Sequence, residues 1–241
     1  MEKITYHPVG EAAVEVVFGQ EIKEEINHQV HQFVIELTKA KHRGIREIIP
    51  AYCTVLITYD PLILSYKKIV SVLRTKVNVN DIKGVPNKRI IHIPVCYEGE
   101  FAIDLQEVAE YVHMTCEEVI QLHSSCDYLI YMLGFLPGFA YLGGLDEKLA
   151  VPRLATSRTR IEAGSVGIGG KQTGIYPMDS PGGWRLIGRT PLKVYDETRE
   201  EPFLYQAGDY IHFDPITRAE YDQISQSGVY PKESKDFLER R

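Results

Sequence analysis

The chain has 241 residues, a formal net charge of −6, 44% hydrophobic residues and 25% charged residues. This composition argues against a disordered chain, and the acidic balance argues against a nucleic-acid binder, which would present a basic face. No apolar run approaches the roughly 18 residues that a membrane-spanning helix needs, and the first five residues lack the hydrophobic region of a signal peptide. We therefore expect a cytoplasmic protein with no nucleic-acid or membrane partner. The four cysteines fit no zinc-binding spacing, so no metal site is expected in this chain.

The first part of the chain, residues 1–84, predicts a small two-layer α+β domain. Short alternating runs predict strands, and apolar residues at helical spacing predict amphipathic helices. The predicted elements are strands at 4–8 and 12–18, a helix over 21–41, strands at 45–49 and 54–59, and a helix over 65–77. This ββαββα order predicts one sheet with both helices on the same face.

A polar segment over residues 78–88, with Gly84 and Pro86 as breakers, predicts a domain boundary. The second domain, residues 85–241, opens with a predicted strand at 89–95 and helices at 104–111 and 115–124. Thr115 and Glu118 form a capping-box pattern at the start of the second helix.

The rest of the second domain alternates short apolar runs with glycine and proline. Predicted strands lie at residues 128–133, 165–168, 173–176, 184–187, 192–195 and 210–213. Many short strands with frequent turn signals predict a mainly β, barrel-like domain, which ends in a short helix that begins after Thr217.

Residues 134–191 stand apart from the rest of the chain in composition. They hold 12 of the 19 glycines, seven Lys and Arg residues, and only four Asp and Glu residues. Glycine weakens ordinary elements, so this density predicts either tight barrel corners or a close approach of backbone to a ligand. A mildly basic segment in an acidic protein favours a small anionic ligand.

Two clusters within this segment allow more than one interpretation. Five residues form an aromatic loop that is either an exposed binding loop or a packed barrel plug: Phe135, Pro137, Gly138, Phe139 and Tyr141. Three arginines, Arg153, Arg158 and Arg160, predict either an anion site, since guanidinium groups bind carboxylate and phosphate in a planar fork, or ordinary surface ion pairs.

Residues 164–174 nearly match a phosphate-binding loop. The match fails because Ser165 occupies a required glycine position and Gln172 follows Lys171 where serine or threonine is needed, so an autonomous nucleoside triphosphatase is not predicted. Ser180 could act as a nucleophile only with a histidine from outside the segment, of which His123 is the nearest. His123 itself is either a buried structural histidine or a proton-transfer residue.

Several motifs, taken together, resemble the family of 5-oxoprolinase B subunits, which includes KipI-type histidine kinase inhibitors and was formerly labelled allophanate hydrolase subunit 1. The matching features are His123, residues 134–142, Pro152 and Arg153, residues 163–166, 172–177, 180–191 and 208–213. Two departures occur: Ser157 precedes Arg158 where a second Pro-Arg is often found, and the segment after Tyr97 lacks an expected Gly-Pro.

The resemblance implies a cyclophilin-like barrel behind the α+β domain and a protein that is inactive alone. It implies a larger C-type subunit with a related barrel, an A-type subunit, and 5-oxoproline as substrate, with ATP and Mg in the assembled complex. It implies catalytic roles for His123, Arg153 and Arg160. It implies that substrate or partner is bound by Phe135, Pro137, Gly138, Phe139, Tyr141, Arg158, Gly164, Ser165, Gln172, Tyr176, Ser180, Pro181, Gly182, Gly183, Trp184 and Arg189.

The resemblance leaves three functions open. The first is the B subunit of an ATP-dependent 5-oxoprolinase, which converts 5-oxoproline to L-glutamate. The second is an inhibitor that binds the dimerisation region of a sensor histidine kinase. The third is a subunit of an allophanate hydrolase or urea carboxylase-like system.

Overall fold

The computed structural model describes residues 4–76 and 89–227, together with the backbone of residues 239–240. The chain divides into two compact units, Met1–Pro86 and Asn87–Arg241. The predicted linker at 78–88, the predicted boundary after residue 84 and the predicted helical residue Val77 lie outside the described residues. Within the described residues, no helix is both long and apolar enough to cross a bilayer.

The first unit contains its elements in the predicted ββαββα order. They are β1 (Thr5–Val9), β2 (Ala13–Val17), α1 (Glu24–Ala40), β3 (Ile45–Pro50), β4 (Thr54–Tyr59) and α2 (Tyr66–Lys76). The strands form an antiparallel sheet in the order β1-β2-β4-β3, which places β2 and β4 at its centre.

One face of this sheet packs against both helices. Val14, Val16, Val55 and Ile57 alternate with less buried neighbours on β2 and β4, and they form a single cluster with apolar residues of both helices. The helical members are Val30, Phe33, Leu37, Ile69 and Leu73. Burying each large apolar side chain contributes about 1.5–3 kcal/mol, so this two-layer core explains why the alternating and helical patterns fold together.

The second unit is a mixed α/β structure with barrel character. Its elements are β5 (Arg89–Cys96), α3 (Leu105–Tyr111), α4 (Cys116–His123), β6 (Asp127–Leu133), β7 (Ala140–Gly143), β8 (Arg158–Ile161), β9 (Ser165–Gly169), β10 (Gln172–Ile175), β11 (Ser180–Gly182), β12 (Arg185–Arg189), β13 (Tyr210–Ile216), α5 (Arg218–Ser227) and β14 (Glu239–Arg240).

The main sheet of this unit is nearly closed. Its strands follow the order β10-β9-β12-β5-β13-β6-β7, with β14 paired beside β5. The two end strands, β7 and β10, approach each other. A large apolar core that includes Ile93, Ile130, Ile168 and Phe213 fills the interior. The strands β8 and β11 form a separate pair.

Local signals account for some element boundaries. The capping box predicted for α4 is confirmed, because Glu118 N donates to Thr115 Oγ1 (3.2 Å) and Thr115 N donates to Glu118 Oε2 (2.7 Å). The predicted strand at 192–195 is wrong: Leu192 N donates to Thr190 Oγ1 in a local turn, and only Tyr195 forms an isolated bridge, with Phe203. The strands β7, β8 and β11 were not predicted.

Candidate functional site

A small open pocket of about 130 Å³ lies in the second unit. It is lined by Phe135, Phe139, Tyr141, Arg153, Tyr176, Pro181, Gly182, Gly183 and Trp184. All nine residues belong to the predicted site, and they come from three separated parts of residues 134–191. The pocket has buried aromatic residues at its base and exposed residues, including Phe135, Arg153 and Pro181, at its rim.

The base of the pocket is a cluster of aromatic rings packed edge to face. Phe139 is the centre, with ring centroids at 5.2 Å from Tyr141, 5.9 Å from Tyr176 and 5.6 Å from Trp184. Phe139, Tyr176 and Trp184 are each at most 5% exposed. Each such ring pair contributes about 0.5–1.5 kcal/mol beyond the burial of its area, so these contacts stabilise the base of the pocket.

Glycines make room for Trp184. A Cβ atom at Gly169 would lie 2.3 Å from Trp184 Cδ1, and one at Gly174 would lie 3.1 Å from Trp184 Cζ3. A Cβ atom at Gly167 would lie 3.3 Å from Trp184 Cβ. The glycines of β9 and β10 therefore allow the close approach of an indole ring, and this accounts for three of the twelve glycines in residues 134–191.

Replacing Gly169 with alanine is expected to destabilise the second unit by about 1–3 kcal/mol, because the added methyl group overlaps the indole ring. Urea unfolding followed by tryptophan fluorescence measures this effect, and Trp184 is the sole tryptophan of the chain. Gly134→Ala is the control, since its methyl group would make only an ordinary 3.7 Å contact with Tyr141. Equal stabilities of the two variants would contradict the packing explanation.

Arg153 is the pocket's exposed cation. Its guanidinium carbon lies 5.8 Å from the centre of the Trp184 ring, and it forms no ion pair or hydrogen bond with the described residues. An arginine stacked on an indole keeps its five donors in a planar fork that fits a carboxylate. Of the three predicted arginines, Arg153 is the one that the structure leaves ready to bind an anion in this pocket.

Arg158 is occupied by a buried carboxylate that the sequence analysis did not identify. Its guanidinium donates to both oxygens of Asp104, at 2.7 and 2.9 Å, and also to the carbonyl oxygen of Trp184 at 3.4 Å. Asp104 is 4% exposed and also accepts from Leu186 N at 2.6 Å. This network fixes the backbone on both sides of Arg185 and hence the position of Trp184. Asp104 had only its place at a predicted helix start to distinguish it.

Arg160 and Arg189 lie outside the pocket lining and form ion pairs. Arg160 is exposed and binds Asp179 (Nη2 to Oδ2, 2.7 Å), which also accepts from Ala163 N. The hydrogen bond from Ala163 N, together with the one from Arg160, holds the pKa of the Asp179 carboxyl below its usual range. Arg189 pairs with Glu162 and stacks over Phe101. A catalytic role for Arg160 stays a prediction, for which the pocket geometry offers no support.

His123 lies in the barrel core and is fully buried. Thr173 donates its hydroxyl proton to Gly167 O, so it accepts from His123 Nε2 (2.8 Å), while Tyr97 donates to Nδ1 (2.8 Å). Burial lowers the pKa of His123 to about 3, so the ring is neutral. Both nitrogens are engaged and His123 does not line the pocket, so this geometry corresponds to the structural alternative; its catalytic role stays a prediction.

The segment that resembles a phosphate-binding loop is a β-hairpin. Gln172 pairs with Gly169 across a two-residue turn, and the strands β9 and β10 are antiparallel. The N–H groups of Gly164, Ser165 and Gly170 donate to carbonyl oxygens of Tyr176, Glu162 and Val151. These donors are not directed at an open space, so this stretch does not fit the triphosphate of ATP.

Two further predicted residues are buried and do not line the pocket. Ser165 is 1% exposed, and Ser180 is 7% exposed with a hydroxyl that has no hydrogen-bond partner among the described residues. Because both nitrogens of His123 are already bonded, Ser180 and His123 do not form a nucleophile–base pair. No group of three or more metal-binding side chains occurs in the described parts of the chain.

The aromatic loop is partly a packed plug and partly an exposed loop, so each of the two alternatives from the sequence describes some of its residues. Phe139 is packed, whereas Phe135 is 67% exposed and has a left-handed backbone (φ 64°) that a bulky residue rarely adopts. Pro137 is exposed, and Gly138 (φ 82°) is buried, with its carbonyl oxygen bound by the Tyr205 hydroxyl at 2.8 Å. A strained backbone that holds an exposed aromatic side chain is typical of a functional position.

Comparisons with known proteins give the family of the chain. A family model described as the carboxyltransferase domain, subdomain C and D, matches residues 4–205. The 5-oxoprolinase B subunit of Bacillus subtilis (strain 168) is 40% identical over 224 residues, which cover 88% of this chain and 93% of that protein. The chain belongs to the family of 5-oxoprolinase B subunits. The family member of Haemophilus influenzae is 47% identical over 161 residues, covering 66% of this chain and 74% of that protein.

Solved structures and a distant relative extend the family comparison. A crystal structure of TTHA0988 matches with a TM-score of 0.75 and 36% identity, covering 85% of this chain and 39% of that longer chain. The protein PH0987 from Pyrococcus horikoshii is 45% identical over 90% of this chain and all of that chain, with a TM-score of 0.54. A urea amidolyase of Lachancea kluyveri is 26% identical over 98% of this chain and 15% of its own length. The family is therefore related to domains of larger enzymes.

Proposed function

We propose that this chain is the B subunit of an ATP-dependent 5-oxoprolinase, which opens 5-oxoproline to L-glutamate together with a larger C-type subunit and an A-type subunit. Its 40% identity to the 5-oxoprolinase B subunit of Bacillus subtilis, over most of both chains, supports this function. The chain by itself is expected to have little or no activity, because the described residues form a binding pocket without a complete catalytic apparatus.

The proposal depends mainly on the position of Arg153. Its guanidinium lies over Trp184 at the rim of an aromatic pocket and forms no ion pair with a described residue. 5-Oxoproline is a small, nearly flat lactam with one carboxylate. A guanidinium binds a carboxylate in a planar fork, and the faces and edges of Phe139, Tyr176 and Trp184 can enclose the ring. The pocket therefore has the two features that this substrate requires.

Residues 164–174 do not fit the triphosphate of ATP, and we assign ATP and Mg to the assembled complex. A lactam is unreactive, and activation of its carbonyl oxygen supplies the driving force for opening the ring. The residues of this chain would bind and orient the lactam and stabilise the developing negative charge. We also infer that the nearly closed sheet is a cyclophilin-like barrel and that the domain boundary in the sequence lies after residue 84. We infer further that the protein acts in the cytoplasm.

The test is the release of phosphate from ATP, with and without 5-oxoproline, by this chain alone and by its mixture with the C-type and A-type subunits. We expect phosphate and glutamate in equal amounts from the mixture only, and only when 5-oxoproline is present. A stable complex that does not hydrolyse ATP in response to 5-oxoproline would contradict the proposed function.

Two alternative functions, a kinase inhibitor and a urea carboxylase-like subunit, are each supported by an observation and can be tested. The exposed, strained Phe135 suits an inhibitor that docks on the helical dimerisation region of a sensor histidine kinase. The carboxyltransferase family model and the urea amidolyase relative suit a urea carboxylase-like subunit. Loss of kinase autophosphorylation at micromolar concentrations of this chain would support the first, and ATP hydrolysis that depends on urea in the mixture would support the second.

A further inference from the structure

The hydroxyl group of Tyr176 lies at the wall of the pocket. Tyr176 follows β10, is 3% exposed and lines the pocket. Its hydroxyl oxygen would be only 2.4 Å from a Cβ atom at Gly182, which lines the same pocket. The absence of a side chain at position 182 is therefore what allows this hydroxyl to occupy its place.

Three groups favour the ionised form of this hydroxyl. They are the backbone N–H of Trp184 and the guanidinium groups of Arg153 and Arg158. All three would stabilise a phenolate at this position, while burial, which is the larger effect, raises the pKa of Tyr176. At neutral pH the hydroxyl thus holds its proton, and a phenolate formed briefly during a reaction would be stabilised by charges already in place.

Other candidates for proton transfer in this region are less suitable. Both ring nitrogens of His123 are bonded inside the core. Ser180 does not line the pocket. An arginine side chain holds its proton throughout the accessible pH range, so Arg153 can bind an anion and cannot act as an acid.

We infer that Tyr176 is the general acid that protonates the ring nitrogen of the substrate when the lactam opens. This role rests on the proposed function. In the step, the lactam carbonyl oxygen carries the phosphoryl group of ATP and the oxygen of a water molecule bonds to the same carbon. The C–N bond then breaks with its electron pair on nitrogen, which leaves an acyl phosphate of glutamate, and a second water hydrolyses this acyl phosphate to glutamate and phosphate. The nitrogen takes the Tyr176 hydroxyl proton, and a proton from the attacking water restores the tyrosine. Arg153 holds the carboxylate, so the ligand is oriented at both ends.

The test uses the complex reconstituted from this chain and its C-type and A-type subunits, and it compares the wild-type chain with Tyr176→Phe. We expect kcat for glutamate formation to fall by about 10²–10⁴-fold, the usual contribution of a positioned acid. KM is expected to stay unchanged, because the ring and Arg153 remain. Quenching of Trp184 fluorescence by 5-oxoproline gives the binding affinity independently of turnover.

The control variant is Tyr221→Phe. Tyr221 lies in α5 outside the pocket, and burial raises its pKa as it does for Tyr176, so the variant removes a comparable hydroxyl with no expected loss of kcat. Melting temperatures of both variants, within a few degrees of the wild type, verify that the fold is retained.

Three outcomes distinguish the general-acid role of Tyr176 from the proposed function of the chain. An unchanged kcat for Tyr176→Phe would overturn the general-acid role and leave the proposed function intact. A raised KM with an unchanged kcat would also overturn it, since the hydroxyl would then only bind the substrate. A wild-type complex that forms no glutamate from 5-oxoproline would overturn the proposed function, and the role of Tyr176 with it.

Discussion

The free energy of unfolding of the second unit is expected to fall by several kcal/mol between pH 7 and pH 4 through His123 alone. An unfolded histidine binds a proton below its ordinary pKa of about 6.5, whereas burial lowers the pKa of His123 to about 3 in the folded chain. The unfolded state therefore binds more protons across this window, so the stability contributed by neutral His123 is present above about pH 6.5 and is lost as the pH falls towards 3.

Urea unfolding followed by the fluorescence of Trp184 measures this effect at each pH. Carboxylates also contribute to acid unfolding, so the informative quantity is the difference in slope between the wild type and His123→Gln, which cannot titrate. His113→Asn is the control, because His113 is exposed and has a left-handed backbone (φ 57°) that asparagine tolerates. Identical pH slopes for the wild type and His123→Gln would show that His123 titrates normally, which would restore its candidacy as a proton-transfer residue.

Arg153→Gln is expected to lower kcat/KM of the reconstituted complex for 5-oxoproline by about 10–150-fold. The reason is the loss of a charge-assisted hydrogen bond to the substrate carboxylate, which contributes about 1.5–3 kcal/mol. Glutamate formation in the complex measures this loss, and quenching of Trp184 fluorescence by 5-oxoproline should weaken in parallel.

The control for this variant is Arg46→Gln. Arg46 is an exposed arginine of the first unit that pairs with Asp60 at 3.0 Å and is not part of the pocket. Its replacement is expected to leave the kinetics unchanged, since exposed ion pairs contribute little. Equal kinetics for the Arg153 and Arg46 variants would place the carboxylate-binding group elsewhere.

The position of the pocket could be predicted from the sequence, but the roles of its arginines could not. Composition singled out residues 134–191, and all nine pocket residues are among those that the family resemblance implies. Arg153, Arg158 and Arg160 look equivalent in sequence, however. They differ because Asp104 and Asp179 reach two of them across the fold, and such distant pairing leaves no local pattern.

The glycine-rich segment shows a related limit of sequence reasoning. A high density of glycine indicates that another group approaches the backbone closely. The sequence alone does not identify this group as a ligand or as a side chain of the same chain. Here the indole of Trp184 occupies the space beside Gly169 and Gly174. The elements of the first unit were predictable because alternation and helical spacing both point to one two-layer core.

Shorter strands of the second unit escaped prediction for a different reason. β11 spans only Ser180–Gly182 and includes a proline, and its pairing with β8 contains a register shift. Such strands depend on their neighbours in the fold more than on their own β propensity.

The place of β13 in the sheet has a consequence for synthesis on the ribosome. This strand lies between β5 and β6 and pairs parallel to β5 over seven residues, yet it is made after every other strand in that order. Until Tyr210–Ile216 leave the ribosome, β5 and β6 each present an unpaired edge, and open edges are sites of aggregation. Completion of the barrel is therefore a late step that joins distant segments, so a nascent chain stalled before β13 should depend most on chaperones.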